Sequence, residues 1–239
     1  MPVGVGTLDG YEEARPKVVS QYLLDQFRVA EIRKVFVVLR QGKWDIAGYW
    51  GDGSRLGMHL AYVVVDDTKG PPDTLDRAHA FVDDHVVAFG FPDILLQPQN
   101  VFTDMLARLA AGDADVVLGL YPAHDTKAMD MIDVDRTGRV RNLQLKPKRT
   151  SLRWAWICAV WMPTFTSFLH RFLGDIRKGR GGNVLGNRRI DPQGDVPVGA
   201  VIQAAIRQRL QVEAVRFRGG RYLDVGTPMA WAQASRFVR

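Results

Sequence analysis

The spacing of hydrophobic and polar positions changes along the chain and predicts its strands and helices. Four continuous apolar runs in the first half have the length of a strand: residues 35–39, 60–65, 86–89 and 116–120. Such runs are typical of strands covered on both faces. Between them, residues 18–30 and 100–111 carry apolar side chains at helical spacing. Strands alternating with helices predict an α/β fold with parallel strands and right-handed crossovers.

After Tyr121 the pattern changes to shorter elements. Residues 129–134 and 139–145 flank a turn sequence, Asp135-Arg136-Thr137-Gly138, and are predicted to form a hairpin. A strand is predicted at 153–162. Further on, the pattern predicts a helix at 198–209, strands at 212–217 and 222–225, and a last helix from about Met229. We interpret residues 1–239 as one domain with a small β-rich insertion in its second half.

Composition excludes several classes of protein. Of the 239 residues, 46% are apolar and 24% charged, which is typical of a globular chain rather than a disordered one or a disulfide scaffold. No run approaches the ~18 apolar residues of a membrane span, and the first residues lack the pattern of a signal peptide. The single cysteine, Cys158, falls in an apolar run and is predicted to be buried in the core. A lone cysteine is typical of a protein in a reducing compartment. We therefore expect a cytoplasmic protein.

The charge is divided unevenly along the chain. Residues 1–138 carry 13 Lys and Arg against 21 Asp and Glu, whereas residues 139–239 carry 19 against 5. A basic half suits a nucleic acid, an acidic membrane, a subunit interface or an anionic substrate. No recognisable nucleic-acid-binding module accompanies the charge.

Two short motifs near the start have the chemistry of a phosphate site. In Gly4-Val5-Gly6-Thr7, the glycines would let backbone amides approach a triphosphate, with the Thr7 hydroxyl as a further donor. Arg15-Pro16-Lys17 then places two cations beside a rigid proline, where they would offset phosphate charge. Taken separately, these motifs are better explained as an ordinary loop and a solvated basic segment.

Further motifs follow in a fixed order between the predicted elements. They are Tyr49-Trp50-Gly51-Asp52-Gly53, Leu56-Gly57-Met58-His59-Leu60-Ala61-Tyr62, Gly70-Pro71-Pro72-Asp73-Thr74-Leu75, Phe91-Pro92-Asp93-Ile94, Leu145-Lys146-Pro147-Lys148 and Tyr222-Leu223-Asp224-Val225-Gly226-Thr227-Pro228. In this order the chain resembles the sugar-1-phosphate nucleotidyltransferases. The resemblance is strongest to those that join dTTP or a related triphosphate to glucose 1-phosphate. It runs through nearly the whole chain.

The resemblance implies a fold and a reaction. The fold is a Rossmann-like, mostly parallel sheet flanked by helices, similar to glycosyltransferases of the A type. About residues 1–121 would bind the nucleotide and about residues 122–239 the sugar phosphate. The sugar phosphate would attack the α-phosphorus of dTTP or UTP and expel pyrophosphate. By the same resemblance, Asp93 and Asp224 hold Mg²⁺.

The resemblance also implies roles for other side chains. Lys17, with Arg15, would stabilise the α-phosphate, and Lys146 the phosphate of the sugar. Gly70 would give the base room to approach the backbone, with Thr74 nearby. The expected partners are a nucleoside triphosphate and a sugar 1-phosphate. Neither a membrane nor a nucleic acid is expected to bind. The oligomeric state is left open, and a homo-oligomer is one possibility.

Four features depart from the family pattern. Leu8 stands where the family has an arginine after Gly-Thr, and Leu145 where it often has a glutamate before the lysine. Cys158 falls near a glycine that borders the sugar, where a side chain would narrow the pocket. The first strand has only Pro2 and Val3 before its glycines, so either this central strand is short or the chain starts upstream. The alternative function is therefore a weakly active or inactive homologue that binds nucleotide or sugar phosphate and has a regulatory role.

Overall fold

The computed structural model of the chain describes residues 2–6, 15–179 and 195–238. The strands are β1 (Pro2–Gly6), β2 (Arg15–Val18), β3 (Lys34–Arg40), β4 (His59–Val65), β5 (Val87–Phe89), β6 (Ile94–Gln97), β7 (Val116–Pro122), β8 (Met131–Val134), β9 (Val140–Gln144), β10 (Trp154–Trp161), β11 (Val212–Arg216) and β12 (Arg221–Asp224). The helices are α1 (Val19–Val29), α2 (Trp44–Trp50), α3 (Gly70–Asp76), α4 (His79–Val82), α5 (Val101–Ala110), α6 (Pro163–Arg177), α7 (Val198–Arg207) and α8 (Pro228–Phe237). A short 3-10 helix covers Ser54–Leu56.

Within the described residues, the largest sheet has six strands in the order β11-β7-β10-β8-β9, with β5 paired to β10. β11 and β7 are parallel, whereas β10 is antiparallel to β5, β7 and β8. The α/β class with flanking helices is confirmed, but the sheet is mixed rather than mostly parallel. Antiparallel neighbours dominate because short turns, such as the one between β8 and β9, cannot supply the crossover that a parallel pair requires.

Several predicted elements are confirmed. β3 and β4 pair in parallel over seven positions, from Lys34 opposite His59 to Arg40 opposite Val65. The hairpin at Asp135 is formed by β8 and β9, which pair antiparallel. β11 brings the basic end of the chain beside β7 from the acidic half, so one sheet joins the two.

The core has one apolar layer on each face of this sheet. Alternate residues of β7 point to opposite faces: Val116, Leu118 and Leu120 pack in the layer of α6 and α7, and Val117 in the layer of α1 and α5. Cys158 is 0% exposed, and its Sγ lies 3.6 Å from Sδ of Met105 on α5. The predicted burial of Cys158 is confirmed, and the expected narrowing of a sugar pocket is wrong because the side chain lies in the core. Burial raises the pKa of the thiol.

The first strand differs from the sequence prediction. β1 pairs antiparallel with β2 as a hairpin, and Val3 packs against Leu95 and Val225 instead of entering the central sheet. Gly4 and Gly6 therefore lie within a strand rather than in a turn, and Thr7 and Leu8 lie outside the described residues.

An apolar cavity of about 1040 Å³ lies between α1, β3 and β5. Among the described strands, β3 pairs only with β4 and β5 only with β10, so each has an edge without a strand partner. Throughout the described ranges, no helix combines the length and the hydropathy that crossing a membrane requires.

Candidate active site

Two carboxylates are brought together where β6 begins and β12 ends. The two strands pair antiparallel with Asp224 opposite Ile94, and the backbone amide of Val225 donates to the carbonyl oxygen of Asp93 at 2.9 Å. Asp93 precedes β6 by one residue and Asp224 is the last residue of β12. The resemblance implied that both hold one ion, and the structure makes them neighbours.

The charges of this pair influence each other. Burial raises the pKa of Asp93, a hydrogen bond from its own backbone amide lowers it, and the nearby Asp224 carboxylate raises it further. Asp224 is held by the amide of Gly226, which donates to Oδ1 at 2.9 Å. Two carboxylates side by side repel each other unless a cation lies between them.

The pair fits the ligand preference of Mg²⁺. This ion commonly takes one or two protein carboxylates and completes its shell with phosphate oxygens and water. In the described part of the chain, no group of three or more His, Cys, Asp or Glu is suited to hold a metal. An ion bound by Asp93 and Asp224 would therefore depend on substrate oxygens for its other ligands.

A second polar group lies at the start of the β8–β9 hairpin. The backbone amide of Lys146 donates to Oδ1 of Asp130 at 3.2 Å, and the indole Nε1 of Trp156 donates to Oδ2 at 3.5 Å. Lys146 has a left-handed backbone, with φ of 35°, and an exposed side chain. The Trp156 ring lies 6.2 Å from that of Phe91, two residues before Asp93. Trp156 thus contacts both Phe91 and Asp130, and Asp130 in turn holds the backbone of Lys146.

Asp130 was not recognised in the sequence. The register pairs Met131 with Gln144, so Asp130 comes just before this pair and Leu145 just after it. Leu145 belongs to the apolar layer of α6 and α7, and its side chain borders Gly199. Asp130 therefore supplies a carboxylate beside the position where Leu145 has none. The predicted hairpin was the available signal, but its register could not be read from the sequence.

The structure describes the side chain of only one of the two predicted cations near the start of the chain. The ammonium of Lys17 forms an ion pair with Asp25 on α1 and lies 4.1 Å from the centre of the Tyr22 ring. Its charge is thus engaged within its own hairpin and helix. Arg15 is the first residue of β2, and its side chain lies outside the described residues.

Gly70 begins α3 in a conformation that favours glycine, with φ of 81°. A Cβ there would overlap the carboxylate of Asp195. The hydroxyl of Thr74 donates to the carbonyl oxygen of Gly70 at 3.2 Å, and the amide of Lys69 donates to Oδ2 of Asp73 at 2.9 Å. Side chains one turn into α3 therefore fix the turn around Gly70.

Arg177 on α6 holds the same helix from its other side. Its NH2 group donates to Oδ1 of Asp73 at 2.6 Å and to Oδ2 of Asp76 at 2.7 Å. Burial by itself would raise the pKa of Asp73, but the Lys69 amide, Arg177 and Arg77 hold it below its ordinary value. Nδ1 of His170 also lies 2.8 Å from Oδ1 of Asp76. Asp73 belongs to a motif found in the sequence, whereas Asp76 and the partner from a distant helix were not recognised there.

Comparisons with known proteins bear on the family and the fold of the chain. A sequence model described as nucleotidyl transferase matches residues 13–174. The low-salt glycan biosynthesis nucleotidyltransferase Agl11 of Haloferax volcanii is 27% identical over 132 residues, which are 55% of this chain and 36% of that protein. The chain thus spans about a third of the length of this curated relative.

Solved structures share the fold. A putative glucose-1-phosphate thymidylyltransferase from Bacillus anthracis, in complex with a sucrose, has a TM-score of 0.75 at 12% identity, over 92% of this chain and 82% of that one. UDP-glucose pyrophosphorylase complexed with UDP-glucose has a TM-score of 0.75 at 13% identity, over 93% and 86%. Its apo form has a TM-score of 0.73 at the same identity and coverage.

Proposed function

Because the chain belongs to the nucleotidyl transferase family, we propose that it transfers a nucleotidyl group from dTTP or UTP to glucose 1-phosphate and releases pyrophosphate. The observation that carries the proposal is the meeting of Asp93 with Asp224 at the paired ends of β6 and β12. The names of the similar structures, a thymidylyltransferase and a UDP-glucose pyrophosphorylase, support these two bases and this sugar.

The proposed reaction makes two demands on the site. The substrates carry several negative charges, and the attacking phosphate must be aligned with the α-phosphorus. No general base is required, because the attacking oxygen belongs to a phosphate that is already ionised at neutral pH. The chain must therefore offset charge and position two anions.

We assign the residues on this basis. Asp93 and Asp224 hold Mg²⁺, which when bound offsets charge on the phosphates. The exposed ammonium of Lys146 binds the phosphate of the sugar. Asp130 accepts a hydrogen bond from a sugar hydroxyl, the role of the glutamate that the family often has at the position of Leu145. The Gly70 turn, ordered by Thr74, receives the base, so the nucleotide lies toward the first half of the chain. We place the reaction in the cytoplasm, a reducing compartment that suits the free, buried Cys158.

Lys146→Ala is expected to raise KM for glucose 1-phosphate about tenfold or more, because a charge-assisted contact of 1.5–3 kcal/mol is lost from substrate binding. The KM for the nucleotide should change little. Steady-state kinetics with each substrate varied in turn measures both values. Lys43→Ala, at an exposed lysine before α2, is the matched control. An equal rise in both KM values would contradict the assignment.

A second candidate function follows from the state of Lys17. Its ammonium is engaged by Asp25 and Tyr22, and β1 forms a hairpin with β2 where a phosphate-binding turn was expected. These features favour a homologue that binds nucleotide or sugar phosphate and turns it over slowly or not at all, in a regulatory role.

One experiment separates the two functions. The protein is incubated with Mg²⁺, either dTTP or UTP, and glucose 1-phosphate, and pyrophosphate is measured in parallel with nucleotide binding by calorimetry. Release that requires both substrates supports the transferase. Saturable binding of nucleotide without release supports the binding protein, and neither binding nor release contradicts both.

A further inference from the structure

Helix α7 has a glycine as its second residue, within a stretch of five buried residues from Val198 to Ile202. Glycine makes a helix less stable than alanine does, because its backbone loses more freedom on folding. Alanine is well accommodated elsewhere in this helix, where it stands at positions 200, 204 and 205. The glycine at position 199 therefore requires an explanation from outside the helix.

The explanation lies in the two side chains packed against Gly199. A methyl group on this residue would lie 2.8 Å from Cδ2 of Leu145 and 3.0 Å from Cγ of Asp130, and closer still to the carboxylate oxygen Oδ2 of Asp130. Carbon atoms in contact are separated by about 3.5–4.0 Å, so the space is too small for the side chain of alanine. Only glycine leaves room for the Asp130 carboxylate beside the first turn of α7.

Helix α7 is fixed to the β8–β9 hairpin and has little freedom to move away from it. One turn beyond Gly199, Oε1 of Gln203 accepts a hydrogen bond from the amide of Leu143 on β9 at 2.6 Å. The buried residues of α7 also belong to the apolar layer of α6 and α7. Moving the helix would break this bond and open the layer, whereas Asp130 has only to turn its side chain. We therefore expect Asp130 to yield to a methyl group at position 199.

The contacts that Asp130 would lose include those that order the sugar-phosphate residues. Its Oδ1 accepts from the amide of Lys146 at 3.2 Å, and its Oδ2 accepts from Nε1 of Trp156 at 3.5 Å. Lys146 has a φ of 35°, a conformation that residues other than glycine adopt only with support from their surroundings. The placement of both Asp130 and Lys146 thus depends on the absence of a side chain from Gly199.

We propose that Gly199 is a positioning residue for the sugar 1-phosphate. By lacking a side chain, it lets the Asp130 carboxylate lie against the first turn of α7, from where Asp130 reaches a sugar hydroxyl and holds the backbone of Lys146. The dipole of the helix favours a negative charge at this end. The inference rests on the proposed transfer reaction, which assigns the sugar phosphate to Lys146 and Asp130. It extends the site to α7, a helix that supplies none of the residues assigned so far.

Gly199→Ala is expected to raise the KM for glucose 1-phosphate about tenfold, the loss typical of one hydrogen bond to a charged group, and to leave the KM for the nucleotide unchanged. The matched control is Gly174→Ala on α6, where an added methyl group would meet no atom within 4 Å. It should keep both KM values of the parent. Both substitutions introduce the better helix former, so a general effect on helices would appear in both. A parent-like KM for glucose 1-phosphate in Gly199→Ala, or an equal rise for both substrates, would overturn the proposal.

A double variant tests whether Gly199 acts through Asp130. Asp130→Ala removes the carboxylate, so adding Gly199→Ala to it should raise the KM for glucose 1-phosphate no further. Additive effects would overturn the proposal, because Gly199 would then act by another route. If Gly199→Ala alone does not fold, the double variant should fold, since the overlap with the carboxylate is gone. Failure of both variants to fold would also overturn the proposal.

Binding of glucose 1-phosphate separates this inference from the transfer reaction. Calorimetric titration with Mg²⁺ and a non-hydrolysable dTTP analogue present measures it without turnover. A parent that binds glucose 1-phosphate but releases no pyrophosphate contradicts the transfer reaction, whereas weaker binding by Gly199→Ala than by Gly174→Ala still supports the positioning role. Equal binding by these two variants overturns that role even where the parent is active. A parent that binds no glucose 1-phosphate overturns both.

Discussion

Asp93→Asn and Asp224→Asn are each expected to lower the rate of nucleotidyl transfer by about 10²–10³-fold, the loss typical of removing one group that offsets charge in a transition state. Each amide leaves one neutral oxygen where the carboxylate carried a full charge. Because both residues are exposed overall and only the carboxyl group of Asp93 is partly desolvated, the free energy of unfolding should change by less than about 0.5 kcal/mol. Kinetics under saturating substrates and thermal unfolding measure the two quantities.

Asp175→Asn is the matched control, since this exposed aspartate on α6 makes no hydrogen bond or ion pair within the described residues. It should retain the parent rate. Full activity of Asp93→Asn would exclude this residue from the reaction. A large fall in melting temperature would instead show that the pair acts mainly on the fold.

Arg177→Ala is expected to cost about 3 kcal/mol of stability, at the lower end for breaking a buried ion pair because Arg177 is itself 45% exposed. The substitution removes the guanidinium shared by Asp73 and Asp76, whose side chains are only 10% and 4% exposed. Asp73 keeps the Lys69 amide and Arg77, and Asp76 keeps His170. For a chain of this size the loss corresponds to a fall in melting temperature of roughly 6–12 °C. Thermal unfolding measures it, with Arg171→Ala on the same helix as control.

The loss of stability in Arg177→Ala should depend on the charge of the two aspartates and on the pH. Adding Asp76→Asn to Arg177→Ala should recover part of the stability, because one of the two opposed charges is removed. The folded pKa of Asp73 is lowered, so its contribution is present above the unfolded value of about 3.9 and is lost as the pH falls through the folded value. The difference between parent and variant should therefore be largest at neutral pH and shrink in acid. No recovery in the double variant would contradict this account.

The sequence predicted the elements with strong periodicity and the two metal-binding candidates. Continuous apolar runs identified β3, β4 and β7, and a turn sequence identified the β8–β9 hairpin. Asp93 and Asp224 were named by the resemblance to the nucleotidyltransferases, and the pairing of β6 with β12 makes them neighbours.

What the sequence did not predict depends on pairing between distant segments. The direction of β10 is decided by its partners, and residue spacing does not contain that information. The same limit concealed Asp130, which comes beside Leu145 only through the hairpin register, and Arg177, which reaches α3 from α6. The engagement of Lys17 by Asp25 was also missed, because a motif specifies residue types and not their contacts.

The most direct test of nucleotidyl transfer follows the oxygen atoms. Glucose 1-phosphate carrying ¹⁸O in its three non-bridging phosphate oxygens is incubated with dTTP, Mg²⁺ and the protein. The masses of the products are then measured by mass spectrometry. Attack of the sugar phosphate on the α-phosphorus places all three labelled atoms in the nucleoside diphosphate glucose and none in pyrophosphate. Labelled pyrophosphate, or the absence of a nucleotide sugar, would contradict the account.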